Sequence, residues 1–524
     1  MKPFRISDRW AHAVVMPGLA GLAAAVLWWR WVGYQGHDDA YYAWAAMDWA
    51  EHAPALGQTH WALRYPLVLP TAVLIRLFGF SVPVLAAVDL AAYAAFLLMG
   101  YAAARHWFGW PTAAVLTAIG ILLPQFPVQA TYANPDLLEM ALVMGSFWLM
   151  MLAREPGVQE SGTKESGAKT GRLMLGAGVL AGLGFLTRET TLLLAPLYGL
   201  MFLLRPAMPR WRYLLIAAGF VAVVGVQMGW FAWAAGDPLY RLRISAVHDH
   251  VDRAAQAARV TGALDSEGVL AAGVLGTPLS ALFVSQKFGL LFWLALPGYA
   301  VARRASWLGP QARSVLDWAA MGAVVSFLFV ALNFGILYVV PRYFMVTAAM
   351  AAVPVAVAGA TLARARPWAA GLLGAGFAAS CLGLLYLENT EPMFAEQRAA
   401  AFITGQPGTV YMEAETGWRT RALLIRPGLL DRLASGPPPP GALVAEEAGA
   451  MEACLRAPAC PQRAAALAFQ PGPGWTEVAR YDPPRRRLGA WLREIGMAEL
   501  MPPDILRKIE QPGRALVVYR TPVS

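Results

Sequence analysis

Only three cysteines stand in the 524 residues, and only 14% of the side chains carry charge. Three thiols are too few for the disulfide framework that holds small secreted domains together. So little charge, beside 58% hydrophobic residues and 20 tryptophans, excludes an ordinary soluble globular domain. No repeat of fixed period runs through the chain, and no Walker, Rossmann or zinc-knuckle spacing appears. The net charge of +9 gives no reason to invoke nucleic acid, because the basic residues follow a membrane topology and suit anionic lipid.

What is abundant is apolar sequence of membrane length. Stretches that could span a bilayer core recur from Ala11 to Leu387, and they read as about 11 transmembrane helices. The first, about His12 to Val32, is too long and too poorly flanked by small residues for a cleaved signal peptide, so it reads as an anchor. Alternating across the spans, Lys2, Arg5, Arg9, Arg105, Arg154, Arg172, Arg205, Arg210, Arg303, Arg304, Arg364 and Arg366 collect on one side, which the positive-inside rule makes cytoplasmic. The acids sort the other way. Asp38, Asp39, Asp48, Glu51, Asp136, Glu139 and Glu189 fall at or near outer span ends, so chemistry is expected on the outer face.

Two domains are expected: a transmembrane part over 1–387 and a soluble part over 388–524, where hydropathy falls. In the latter TVYME and ALVVYR alternate like strands and ALLIRPGLLDRLA has helical spacing, giving a small α/β domain. An odd number of spans puts it in the periplasm, where Cys454 and Cys460 of CLRAPAC could form a short-loop disulfide. The segment Glu155 to Gly171, polar and Gly/Ser-rich, reads as a cytoplasmic connector. In the first outer loop, Tyr41, Trp44, Asp48 and Glu51 share one helical face, and Tyr42, Ala46 and Trp49 another. That pattern predicts an amphipathic helix in the membrane interface, followed by a second over about Pro66 to Phe78.

Several charged residues sit where lipid would penalise them unless paired or engaged with substrate. One of Asp38 and Asp39 suffices to cap the interfacial helix; neighbours on a helix point about 100° apart, so the other is a candidate base. Asp136 opens a span after Pro135 and could itself be a cap. Arg188 and Glu189 in TRETT could form a local ion pair, and Arg342 and Tyr343 in VVPRYF an interfacial anchor. Asp89 inside the second span suggests pairing with an arginine. HDHVD, from His248 to Asp252, has metal-ligand residue types but no partner cluster, and a solvated loop face accounts for it better.

In order and spacing these motifs resemble the GT-C superfamily of membrane glycosyltransferases, most nearly the protein mannosyltransferase and bacterial aminoarabinose transferase group. The resemblance rests on the Asp38–Asp39 pair followed by Tyr42 and Ala46, on Asp136 at the outer start of the fourth span, on the Leu186–Thr187–Arg188 turn and on the late Arg342–Tyr343 pair. One departure is ALRYP, where Leu63 replaces the acidic residue that aminoarabinose transferase-like members place before a cation, kept here as Arg64. The missing carboxylate weakens the case for a divalent metal cofactor, which stays possible.

The resemblance implies a polyprenyl-phosphate-linked sugar donor, a lipid, glycan or protein acceptor, and an inverting transfer at the periplasmic side of a bacterial inner membrane. It makes Asp38 the base, Asp39 and Asp136 orienting groups or acceptor contacts, and Arg64, Arg188, Arg342 and Tyr343 the donor-phosphate site. A polyprenyl phosphate leaves without a general acid, so one carboxylate and several cations suffice. Two other classes compete: a lipid or glycan transporter or flippase, although no inverted repeat is visible, and a catalytically inactive envelope assembly factor.

Overall fold

A computed structural model describes residues 8–155, 164–246, 273–333, 339–425, 428–448, 469–511 and 513–523. The HDHVD segment, Cys454 and Cys460 lie outside the described residues.

The chain is mainly helical. In order run α1 (Asp8–Trp29), α2 (Asp38–His52), α3 (Tyr65–Phe78), α4 (Val82–Phe108), α5 (Trp110–Leu122), the short α6 (Gln125–Gln129), α7 (Pro135–Ala153), α8 (Lys164–Thr187), α9 (Leu194–Leu204), α10 (Tyr213–Ala235), α11 (Gly273–Phe283), α12 (Leu291–Arg303), α13 (Pro310–Leu332), α14 (Met345–Ala365) and α15 (Pro367–Leu387). Among the described residues, seven helices are long and apolar enough to cross a membrane: α4, α7, α8, α10, α13, α14 and α15. The segments α1, α3, α5 and α9 belong to shorter apolar helices. A proline in the first turn opens α3, α4, α5, α7, α13 and α15, where its missing N–H costs nothing and its fixed φ suits a helix.

The core of the bundle is built on α7 and α14, the two spans most covered by protein. Leu137, Phe147 and Met150 of α7 and Met345, Met350 and Val353 of α14 are buried in it. Helices α8 and α10 cross with almost no space between them. A Cβ on Gly178 would lie 2.1 Å from the Ile216 carbonyl oxygen, and one on Gly219 2.4 Å from that of Leu175. Small residues at this crossing let the two backbones touch, the usual basis of close helix packing in lipid.

Beyond α15 come α16 (Phe394–Gly405), α17 (Ala414–Leu424), α18 (Arg487–Glu494) and α19 (Pro503–Glu510) around five strands: β1 (Val410–Tyr411), β2 (Leu433–Ala434), β3 (Leu443–Glu447), β4 (Thr476–Tyr481) and β5 (Leu516–Arg520). The sheet order is β2-β1-β3-β5-β4, parallel around β1 and antiparallel on both sides of β5. Ile403, Val410, Met412, Ala445 and Val518 form its core.

Two expectations need correction. ALLIRPGLLDRLA is helical only as far as Leu424, and a left-handed Gly428 (φ 69°) precedes a 3-10 turn and β2. The stretch expected as a connector up to Gly171 is already helix from Lys164. The helix expected in the first outer loop is α2, whose Tyr42, Ala43 and Ala46 are buried and against which α3 and α17 pack.

Candidate active site

The Asp38–Asp39 pair is divided as helical geometry requires. Asp38 turns into the bundle, where its Oδ2 accepts a hydrogen bond from Arg342 Nη2 at 2.6 Å and its Oδ1 accepts one from Trp61 Nε1 at 3.2 Å. Asp39 turns away and is buried. Its carboxylate accepts the backbone amides of Gln35 at 2.5 Å and His37 at 2.8 Å. It therefore secures the turn before α2 and not the first amides of the helix, which no side chain caps.

The electrostatics of the two differ as sharply. Burial pushes Asp38 up, but the guanidinium groups of Arg342 and Arg64 outweigh it and hold the carboxyl at about 2. Burial dominates at Asp39 and carries it up to about 7, against the opposing pull of the two amides.

Asp136 sits in the first turn of α7, yet the cap there is Asn134, whose Oδ1 accepts the Asp136 amide at 3.0 Å. The Asp136 carboxylate is free for another use: one oxygen bonds Arg188, and the other lies 3.6 Å from Arg342 Nε. The Arg188 guanidinium rests 3.8 Å from the ring centre of Tyr343. Asp38, Asp136, Arg188, Arg342 and Tyr343 thus form one continuous cluster. It is assembled from α2, α7, the turn after α8 and the Pro341–Phe344 turn before α14. Arg64, in the loop before α3, hydrogen-bonds the Tyr42 hydroxyl and is close enough to act on Asp38.

The local Arg188–Glu189 pair is not formed. Arg188 goes to Asp136, and Glu189 goes to Arg241 at 2.7 Å. Arg241 also donates to the carbonyls of Phe185 and Leu186, each at 2.9 Å, satisfying acceptors that the end of α8 leaves open. Among the described residues Asp89 pairs with no arginine; its Oδ2 accepts the Asn134 amide at 3.1 Å, tying α4 to the loop that presents Asp136.

Among the described residues, no group of three or more His, Cys, Asp or Glu gathers in a metal-binding arrangement. Leu63 stands where the resemblance puts a carboxylate, and it is fully buried against Tyr65 and Phe231. Asp38 and Asp136 already share their oxygens with guanidinium groups. This donor set does not fit a divalent cation.

The C-terminal part reaches the same place, by residues that carried no motif. Trp61, which holds Asp38, stacks on Tyr41 with ring centres 4.1 Å apart, and Trp418 of α17 lies 5.3 Å from Tyr41 and 5.9 Å from Trp44. The adjacent Arg419 is buried, pairs with Glu396 at 2.9 Å and donates to the Pro392 carbonyl at 3.0 Å. Its side chain presses on Gly36, whose φ is +73°; a Cβ there would meet Arg419 Cγ at 2.8 Å and Met393 Sδ at 2.9 Å. Only glycine satisfies both conditions.

A mainly helical membrane bundle, with its charged cluster at the end that meets a small α/β domain, is a GT-C-like fold. Within it, residues 67–230 match the family model of dolichyl-phosphate-mannose-protein mannosyltransferases, a stretch that holds Asp136 and Arg188 but neither Asp38 nor Arg342. The solved structure of ArnT from Cupriavidus metallidurans bound to undecaprenyl phosphate is similar, with TM-score 0.52, 14% identity, and 96% of this chain and 97% of that one covered. So is the apo oligosaccharyltransferase of Archaeoglobus fulgidus, with TM-score 0.55, 11% identity and 97% and 88% covered. The oligosaccharyltransferase AglB from Archaeoglobus fulgidus in complex with an inhibitory peptide and a dolichol-phosphate gives TM-score 0.53 at 11% identity, with 98% and 88% covered. Among curated proteins none matches the chain.

Proposed function

We propose that the protein is an inverting glycosyltransferase that moves a sugar from a polyprenyl-phosphate donor to an acceptor hydroxyl on the periplasmic side of a bacterial inner membrane. The observation that carries this reading is the Asp38 carboxylate, hydrogen-bonded to Arg342 and within reach of Arg64, in one cluster with the Asp136–Arg188 pair. Asp38 takes the proton of the acceptor hydroxyl as its oxygen attacks the anomeric carbon. The bond from that carbon to the phosphate breaks, and the charge left on the polyprenyl phosphate is held by the guanidinium groups. A carboxylate with a pKa of about 2 is a weak base, so the Asp38–Arg342 pair is the resting state. A donor phosphate that draws Arg342 to itself releases Asp38 upward, toward a useful basicity.

The greasy part of such a donor has a place to lie. A cavity of about 340 Å³ between α8, α9 and α10 is lined by Leu194, Tyr198, Phe202, Phe220 and other apolar side chains, and Thr191 at its edge is three residues from Arg188. A lipid tail whose phosphate sits at the cation cluster would find this apolar cavity among the helices.

The test is an assay in membranes or nanodiscs with labelled polyprenyl-phosphate sugars. Turnover is expected; movement of the lipid across the bilayer without turnover would make the protein a flippase, and neither outcome would favour the assembly factor. Replacing Arg342 separates the roles further. Arg342→Ala should weaken donor use by tenfold or more, and Arg342→Lys by less, because a guanidinium holds two phosphate oxygens where an ammonium acts as a point charge. Normal KM and kcat in both would reduce Arg342 to an anchor.

The side is tested independently. A reporter active only outside the cytoplasm should be active when fused after Ser524 and silent when inserted near Glu155. The opposite pattern would place the whole charged cluster on the cytoplasmic face.

A further inference from the structure

We infer that the C-terminal domain rests on the membrane through the α18–α19 helix pair, which dips apolar side chains into the leaflet on the site side and sets arginines against its anionic headgroups. This contact does not depend on the transfer reaction.

The level of the membrane surface is marked by aromatic residues at two helix ends. Trp28, at the end of α1, is 89% exposed. Its neighbour Trp29 faces Tyr386 at the end of α15, with ring centres 6.4 Å apart. Tryptophan and tyrosine at span ends are the usual belt at the lipid–water boundary. Arg30 joins this belt by donating to the Tyr386 carbonyl at 3.3 Å and the Glu388 carbonyl at 2.7 Å.

The C-terminal domain is fastened to the same two carbonyls. Arg486, the residue before α18, donates to the carbonyl of Tyr386, and to that of Glu388 at 2.9 Å; its guanidinium lies 5.1 Å from the Tyr386 ring centre. Helix α19 packs directly on α15, and Lys508 donates to Gln286 at 3.2 Å. Helix α18 therefore starts at belt height.

From that start it exposes the wrong residues for water. Gly489 and Leu492 face the domain, while Leu488, Trp491 and Ile495, at helical spacing, face outward. The strip continues through Met497 and Leu500 in the turn between the helices; Trp491 is 52% exposed and Leu500 81%. An apolar strip of this kind on a soluble surface marks an interaction site. Here it is continuous with a lipid-facing belt, which selects lipid over a protein partner. Arg485 and Arg487, both exposed, flank it, and from Arg485 to Glu510 six basic residues stand against four acids. Apolar residues with flanking cations are the composition of helices that bind anionic bilayers from the side.

The experiment uses the full chain in nanodiscs, with Cys454 and Cys460 replaced by serine and buried Cys381 retained. Leu500→Cys and Trp491→Cys carry an environment-sensitive fluorophore, and Leu430→Cys, by the opposite edge of the sheet, is the control. In phosphatidylethanolamine with phosphatidylglycerol, both test positions should shift to the blue and be quenched at least twofold by lipids bearing a shallow nitroxide; the control should not respond. Weaker quenching in neutral phosphatidylcholine supports the headgroup contact, and equal quenching overturns that part. Absence of quenching at both test positions overturns the proposal, as does a blue shift that grows with protein concentration and ignores the nitroxide, which would assign the strip to a second copy of the chain.

Discussion

Asp38→Asn protein is expected to insert, fold and bind undecaprenyl phosphate, yet to transfer sugar on the order of a hundredfold more slowly or worse, the usual consequence of removing a general base. Asparagine keeps the shape and can still accept from Trp61, while it gives up the basicity together with the charge that pairs with Arg342. Asp39→Asn should fail differently. The two Asp39 oxygens each accept one backbone amide, and an asparagine has one such oxygen. One buried N–H loses its partner at about 1–3 kcal/mol, a change seen in the melting temperature more than in kcat. The pH dependence follows the same division. The folded pKa of Asp38 is below its ordinary value, so the stability of the Asp38–Arg342 pair is complete above about pH 4 and is lost as pH falls toward about 2. The acid limb of kcat/KM, which reports the free enzyme, should therefore stay low, and that of kcat should lie higher once the donor has drawn Arg342 away. Near-native turnover by purified Asp38→Asn protein would move the base elsewhere, with Asp136 the next residue to replace.

Arg188→Met should unfold the protein more readily than any other single change at the site. Both members of the Arg188–Asp136 pair are almost wholly enclosed, with 8% and 3% of their side chains exposed. Deleting one charge of a buried pair strands the other and costs about 3–5 kcal/mol. The double variant Arg188→Met with Asp136→Leu removes both charges and should recover most of that stability, because an apolar pair of similar size can replace a buried ion pair. It should recover no transfer. Stability and activity returning together in the double variant would show that the pair serves only the fold.

The sequence carried the cluster further than it carried the contacts within it. Asp38, Asp136, Arg188 and Arg342 were legible because charges at the ends of apolar helices are costly and therefore conspicuous. Their pairing was not. TRETT places Arg188 beside Glu189, and nothing in five residues reveals that the former reaches α7 and the latter Arg241. Asp136 looked like a cap because the true cap, Asn134, stands two residues earlier with the same capacity. The helical bundle could be read from hydropathy, since each span satisfies its own backbone. Strand β1 falls inside TVYME, which alternates like a strand, but the two-residue β2 and the break at Gly428 could not be read, because two residues have no period to detect. Trp61, Trp418 and Arg419 lay in segments without motif; only the three-dimensional fold brings them to the turn before Asp38.

That grip has a consequence for biosynthesis. Asp38 finds Arg342 304 residues later in the chain, and Gly36 is pressed into place by Arg419, later still. At roughly 5–20 residues per second, a ribosome needs about 15–60 s to supply Arg342 after Asp38 has been made. Through that interval helices are added up to α13 while Asp38 still lacks its arginine partner. The last-made part of the chain thus presses on the first-made loop, so the contact of Arg419 with Gly36 forms only after every helix up to α15 has been made.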